Sequence, residues 1–228
     1  MTKSSKPALR TRGPKAHRVE PDQILDAAER VFAAQGLQAA SLRAIATEAG
    51  CDASLIYYHF ESKEAMFLAL LDRFLPGLHA DLSALAADAA RPVSERLWET
   101  LRLYHHHMGR HAGLRAIIKG ELVRGAEGLQ RQIGARLVRN AEQVALILTQ
   151  GIQAGIIRPE VEPRLAAFFL VKTFIETLDL APRLGSFLSE PARLDLPRAT
   201  ETWFQIYWRG VAVDPLAPLP ALPVFPEL

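Results

Sequence analysis

Apolar side chains recur at three- and four-residue intervals along most of the chain, and no stretch alternates convincingly at period two. That pattern predicts an all-α fold. Ile24, Ala28, Val31 and Phe32 fall on one helical face behind Pro21 and Asp22, which suit a first turn, and Gly36 marks the end. Leu42, Ile45, Ala46 and Ala49 form a second buried face, with Ser41 as its N-cap. Gly50 supplies a left-handed turn, and Asp52 caps a third, very short helix that runs into an aromatic cluster. Ser62 caps a fourth helix whose Met66, Phe67 and Leu70 face the preceding three, and Pro76-Gly77 predicts a kink or break after it. Alanine- and leucine-rich amphipathic helices are then expected near 80–89, 93–110, 112–124, 127–154, 163–181 and 197–211. Pro92, Pro163 and Pro197 sit near starts, and Gly155 lies just past an end. The proline-rich tail, 215–228, opens with a segment that cannot be helical and is expected to be extended or disordered.

Composition adds limits to this picture. A chain of 228 residues can bury a core in one large domain or two modest ones. Its formal charge of +2 points to no partner, but the charge is unevenly placed. Residues 1–17 read as a basic flexible arm: Lys3, Lys6, Arg10, Arg12 and Lys15, followed by Arg18, come with no acid among them. Such an arm is either a solvated terminus or a strand that reaches phosphates. Cys51 is the only cysteine, which rules out an intramolecular disulfide and fits a reducing cytoplasm. In the predicted turn it reads as a packed structural thiol. The most apolar run, 165–180, is interrupted by Lys172, Glu176 and Asp179, so no membrane span is expected and the expected location is cytoplasmic.

Residues 41–60 carry the sharpest signal. A short helix, a glycine turn and a second short helix are the layout of a helix-turn-helix, whose second helix enters the major groove of DNA. The order Ile24-Leu25-Asp26-Ala27-Ala28, Phe32, Gly36, Ser41-Leu42-Arg43-Ala44-Ile45-Ala46, Ala49-Gly50, Ile56-Tyr57-Tyr58-His59-Phe60 and Ser62-Lys63-Glu64 resembles the TetR/AcrR family of bacterial regulators. The likeness covers residues 18–78. It implies a three-helix DNA-binding domain there, followed by a larger helical domain for effector binding and dimerisation over 79–214. Beyond residue 78 the likeness rests on the helical pattern and on the loop from Gly155 to Pro163.

The resemblance implies a division of roles. Ala53, Ser54, Leu55 and Tyr58 would occupy the outward face of the recognition helix, where Leu55 could meet a thymine methyl or simply pack. Ser41, Arg43, His59 and Lys63 look like phosphate contacts, with Arg43 able to reach a base instead. Tyr57 could pack its ring and offer its hydroxyl to a phosphate. Tyr58→Ala and Lys63→Ala are expected to weaken operator binding and leave folding intact.

Operator binding calls for a dimer with two half-sites. The resemblance implies that the last two long helices pair with their copies through Leu165, Phe168, Phe169, Val171, Lys172, Ile175 and Leu178, with Trp203, Phe204, Ile206, Tyr207 and Trp208. The competing reading puts half of these in the intramolecular core. Trp98, Leu101, Tyr104, His105, Met108, Ile117 and Phe174 are the candidates for lining an apolar effector cavity. His105-His106-His107 invites a metal reading, but consecutive helical residues point about 100° apart, so the three cannot share one ion. His107 and His111 have a usable spacing, yet no cysteine or carboxylate group completes a site.

Neither metal nor cofactor is expected. No phosphate-binding glycine loop or activated nucleophile appears, so an enzyme is not expected either. The expected partners are a double-stranded DNA operator, a second copy of the chain and a small-molecule effector. The alternative is a DNA-binding regulator controlled by a protein partner, or by none.

Overall fold

The computed structural model describes residues 19–184, 196–216 and 219. The basic arm and most of the proline-rich tail lie outside that set. Among the described residues the fold is helical: α1 (Pro21–Ala39), α2 (Leu42–Ala49), α3 (Ala53–His59), α4 (Lys63–Ala87), α5 (Val93–Met108), α6 (Ala112–Arg124), α7 (Glu127–Gln153), α8 (Pro163–Leu184) and α9 (Leu196–Val211). An isolated antiparallel bridge joins Ile157 to Ala212 and ties the loop after α7 to the end of α9.

Local chemistry sets the N-terminal boundaries. Pro21 opens α1 beneath a reciprocal capping box between Glu20 and Gln23. Gly36, at φ 77°, bends the backbone out of helix three residues before α1 ends. Ser41 Oγ accepts from Ala44 N at 3.1 Å, and Ser62 Oγ from Ala65 N at 3.0 Å. Ile24, Ala28, Phe32, Ile45, Ile56, Phe67 and Leu70 close one small core, with the Phe32 and Phe67 rings edge to face at 6.4 Å.

One expected boundary is overturned. Pro76-Gly77 does not end α4, and 80–89 is not a separate helix: α4 runs through Pro76 to Ala87. Proline inside a helix costs about 3 kcal/mol through its missing N–H and its clash with the preceding turn. Leu70, Leu71, Leu75, Leu78 and Leu82 are all buried along α4, and each such side chain stabilises by about 1.5–3 kcal/mol. Packing on both sides of the proline therefore wins. A division at residue 78 falls inside this one helix, which the two halves of the molecule share.

Two buried arginines hold the helices beyond α4 together at helix ends. Arg96 on α5 donates to the Ala86 carbonyl in the last turn of α4 at 3.3 Å and to Gln150 Oε1 of α7 at 2.5 Å. Arg115 on α6 donates to the carbonyls of Met108 and Gly109 at the end of α5, and to Asp179 of α8 at 2.6 and 2.9 Å. Both satisfy carbonyls that a helix C-terminus leaves without partners, at the negative end of its dipole.

Candidate nucleic-acid interface

The turn between α2 and α3 forms as its residues dictate. Gly50 adopts φ 67°, ψ 32°, the left-handed conformation that costs glycine least. Asp52 Oδ1 accepts from Ser54 N at 2.7 Å and starts α3; hydrogen bonding to Ser54 holds this exposed carboxyl below its usual range. Ile56 points into the core and is fully buried, which forces the opposite face of α3 outward. On that face Tyr57 is 60% exposed and Tyr58 82%, with Ser54 and His59 also exposed. The rings of Tyr58 and His59 meet edge to face at 5.0 Å.

The other reading-head candidates divide. Ser41 and Arg43 are exposed, and Ala53 is half-buried. Leu55 is half-buried and packs against the core, so of its two expected roles the structure displays the packing one. Lys63 differs from expectation. Its ammonium lies 2.5 Å from the Gln38 carbonyl and 3.4 Å from that of Ala40, across the α1–α2 connection. The spacing of Lys63 along the sequence gave no sign of this, because its partners lie 23 and 25 residues away. Lys63→Ala therefore removes a structural tie, contrary to the expectation of unimpaired folding.

A junction that sequence reasoning missed joins this domain to α6. Glu29 of α1 meets His111 Nδ1 at 2.5 Å, and Arg73 of α4 pairs with Asp26 at 2.7 Å and Glu29 at 3.6 Å. Beside them Gly113 of α6 crosses α1 so closely that a Cβ there would lie 2.3 Å from the Ala33 Cβ.

Each of the seven effector-cavity candidates is buried: Trp98, Leu101, Tyr104, Met108, Ile117 and Phe174 belong to the hydrophobic core, and His105 is a buried polar residue beside it. The groove of about 530 Å³ between α4 and α5 has other walls, among them Asp81, Asp88, Glu99, Arg102 and His106. The histidines go separate ways, with His105 buried, His106 exposed and His107 Nε2 2.7 Å from Asp81.

The dimer candidates separate as well. Phe168 (52% exposed), Phe169 (55%), Leu165 and Ile206 (60%) line the outer surface of α8 and α9. Lys172 and Ile175 are half-buried there, and Lys172 pairs with Glu176 at 2.6 Å. Phe204 and Tyr207 do not belong to that surface. Phe204 is fully buried against Trp98, ring centroids 5.1 Å apart, and the Tyr207 hydroxyl donates to the Ala166 carbonyl at 3.1 Å. Trp208 and Leu178 are buried too, and Trp203 is half-buried beside Tyr207. At 3.6 residues per turn α9 shows one aromatic stripe to its own core and presents Ile206 on the other side. Aromatic density alone does not distinguish the two.

Comparison with known proteins follows the same geometry. Residues 24–70 match the model of the bacterial regulatory proteins of the tetR family. The HTH-type transcriptional repressor KstR2 of Mycobacterium tuberculosis is 32% identical over 154 residues, 66% of this chain and 76% of that protein. The fatty acid metabolism regulator protein of Bacillus subtilis is 27% identical over 160 residues, 68% of this chain and 80% of that one. Among solved structures, the transcriptional regulator FadR of Bacillus subtilis in complex with stearoyl-CoA superposes with a TM-score of 0.71 at 22% identity, covering 84% and 99% of the two chains. The ketosteroid transcriptional regulator KstR2 of Mycobacterium tuberculosis does so with a TM-score of 0.64 at 25% identity, covering 85% and 95%. With a capped helix-turn-helix that turns its aromatic face outward, and with relatives matched well past that motif, this chain belongs to the TetR family of DNA-binding transcriptional regulators.

Proposed function

We propose that the protein represses transcription as a homodimer, each copy placing α3 in a major groove, and leaves its operator when an effector with a long apolar body enters the core of α5–α9. The observation that carries the reading is α3 itself: Tyr58 is 82% exposed while Ile56, two residues before it, is fully buried. An exposed aromatic on a short helix held rigidly by two caps is suited to contact with a base or a phosphate. Ser41, Arg43, Ser54, Tyr57 and His59 would share the contact, with Ala53 letting the backbone approach the groove. Lys63, bound to the α1–α2 carbonyls, would act mainly by fixing that edge.

The effector class is inferred from two relatives, one solved with stearoyl-CoA and one described as a ketosteroid regulator. The apolar candidates in this chain suit such a ligand. They are closed on one another, so entry requires α5, α6 and α8 to part, and this favours a conformation that differs from the DNA-bound one. Fluorescence anisotropy with DNA from upstream of the gene tests the reading. Protein should bind a palindromic segment as a dimer, and a long-chain acyl-CoA or steroid-derived CoA thioester should release it. Binding to operator and random duplex with equal affinity would remove the proposal.

A further inference from the structure

Midway along α4, Pro76 has no N–H to offer the carbonyl of Asp72, one turn back. α7 grips the helix on either side of this gap. Arg136 binds Asp72 through two bonds, Nε to Oδ1 at 2.7 Å and Nη2 to Oδ2 at 2.8 Å. One turn further along α7, Asn140 Oδ1 lies 3.1 Å from His79 Nδ1. Between the two ties is a cavity of about 100 Å³ walled by Asp72, Pro76, His79, Arg136, Arg139 and Asn140.

Its polar groups are out of balance. Asn140 is 2% exposed, and its Nδ2 has no hydrogen-bond partner, a state that costs about 1–3 kcal/mol for a buried polar group. Asp72 is neutralised by Arg136, and that pairing also holds its carboxyl below the usual range. Arg139 has no ion-pair partner among the described residues, which leaves a surplus positive charge at the rim. A water takes roughly 30 Å³, so the space suits about three waters or one tetrahedral anion. An unpartnered buried N–H beside excess positive charge favours the anion.

We propose that this cavity binds a small oxyanion, inorganic phosphate or the phosphoryl end of a larger metabolite, with Arg139 and Asn140 Nδ2 as direct donors beside the mutually neutralised Arg136–Asp72 pair. The site is separate from both the reading head and the apolar core. Calorimetric titration of the intact protein with inorganic phosphate, and in parallel with phenyl phosphate, tests it at constant ionic strength. At least one of the two should give saturable binding. Arg139→Ala removes an exposed side chain and Asn140→Ala gives up one tie to His79 without burying a charge, so both variants should fold, and each should weaken binding about tenfold or more. Arg43→Ala should leave it unchanged, because that residue belongs to the DNA-reading surface. No saturable heat with either anion overturns the site. So does binding that survives both cavity substitutions, or that disappears with Arg43→Ala and so places the anion on the reading head.

Discussion

Tyr58 and Lys63 look equivalent in the sequence, each beside a helix end in a helix-turn-helix, yet their side chains do different things. Tyr58 touches little besides His59, so Tyr58→Ala should weaken operator binding by about 1–3 kcal/mol with an unchanged melting temperature. Lys63 spends two donors on carbonyls, and bonds from a charged group of this kind are each worth about 1.5–3 kcal/mol. Lys63→Ala should therefore lower the melting point measurably, with a smaller change in the salt dependence of DNA binding than a free phosphate contact would give. His105 makes a pH prediction. Burial first, then the nearby cations Arg115, His106 and Arg102, lower its pKa from 6.5. The unfolded chain takes up this proton below about pH 6.5 while the folded chain does not, so stability falls as the pH drops through that window. The fall in melting temperature from pH 7 to about pH 5 should be shallower in His105→Leu than in the wild type; equal slopes would exonerate the residue.

At the scale of helices, the ends and crossings matter more than the helix faces. Ser41, Asp52 and Ser62 cap as the sequence indicates, because capping is local chemistry over three residues. Pro76 was misleading for the complementary reason: its cost is local, while the leucines that outweigh it lie on a helix packed against α1, α5 and α7. The α1–α6 crossing has no local signal either. Gly113→Val would drive a side chain into Ala33 and should cost about 1–3 kcal/mol of stability as over-packing. It should also alter operator affinity while the dimer persists, measurable by anisotropy beside sedimentation. Arg115→Ala removes a buried guanidinium from half-buried Asp179 and leaves the α5 carbonyls of Met108 and Gly109 without their donor. A loss of about 3–5 kcal/mol in chemical denaturation is expected.

For the whole molecule, we propose that two copies meet through the outer surface of α8 and α9, which would separate assembly from folding. Phe168→Asp together with Phe169→Asp should give a folded monomer by sedimentation and abolish cooperative operator binding. Phe204→Ala should leave the oligomeric state alone and destabilise the fold by about 3–5 kcal/mol, since that ring is fully buried against Trp98. A dimer that survived both aspartates would move the interface elsewhere. None of the described helices is long and apolar enough to cross a membrane, so the exposed aromatics on α8 are not part of a spanning segment.

Period, caps and turn glycines settled the helical class and the helix-turn-helix, because each depends on neighbours within about four residues, a range that linear order preserves; the outward placement of Tyr58 came from the family resemblance. The same range fails for the rest. Lys63 meeting the α1–α2 carbonyls, Glu29 meeting His111 and Arg136 meeting Asp72 join residues 23 to 82 positions apart. Which apolar residues of α8 stay outside the core was likewise settled only by packing: Leu165, Phe168 and Phe169 are exposed while Phe174 and Leu178 are buried, and burial is decided by what a helix lies against.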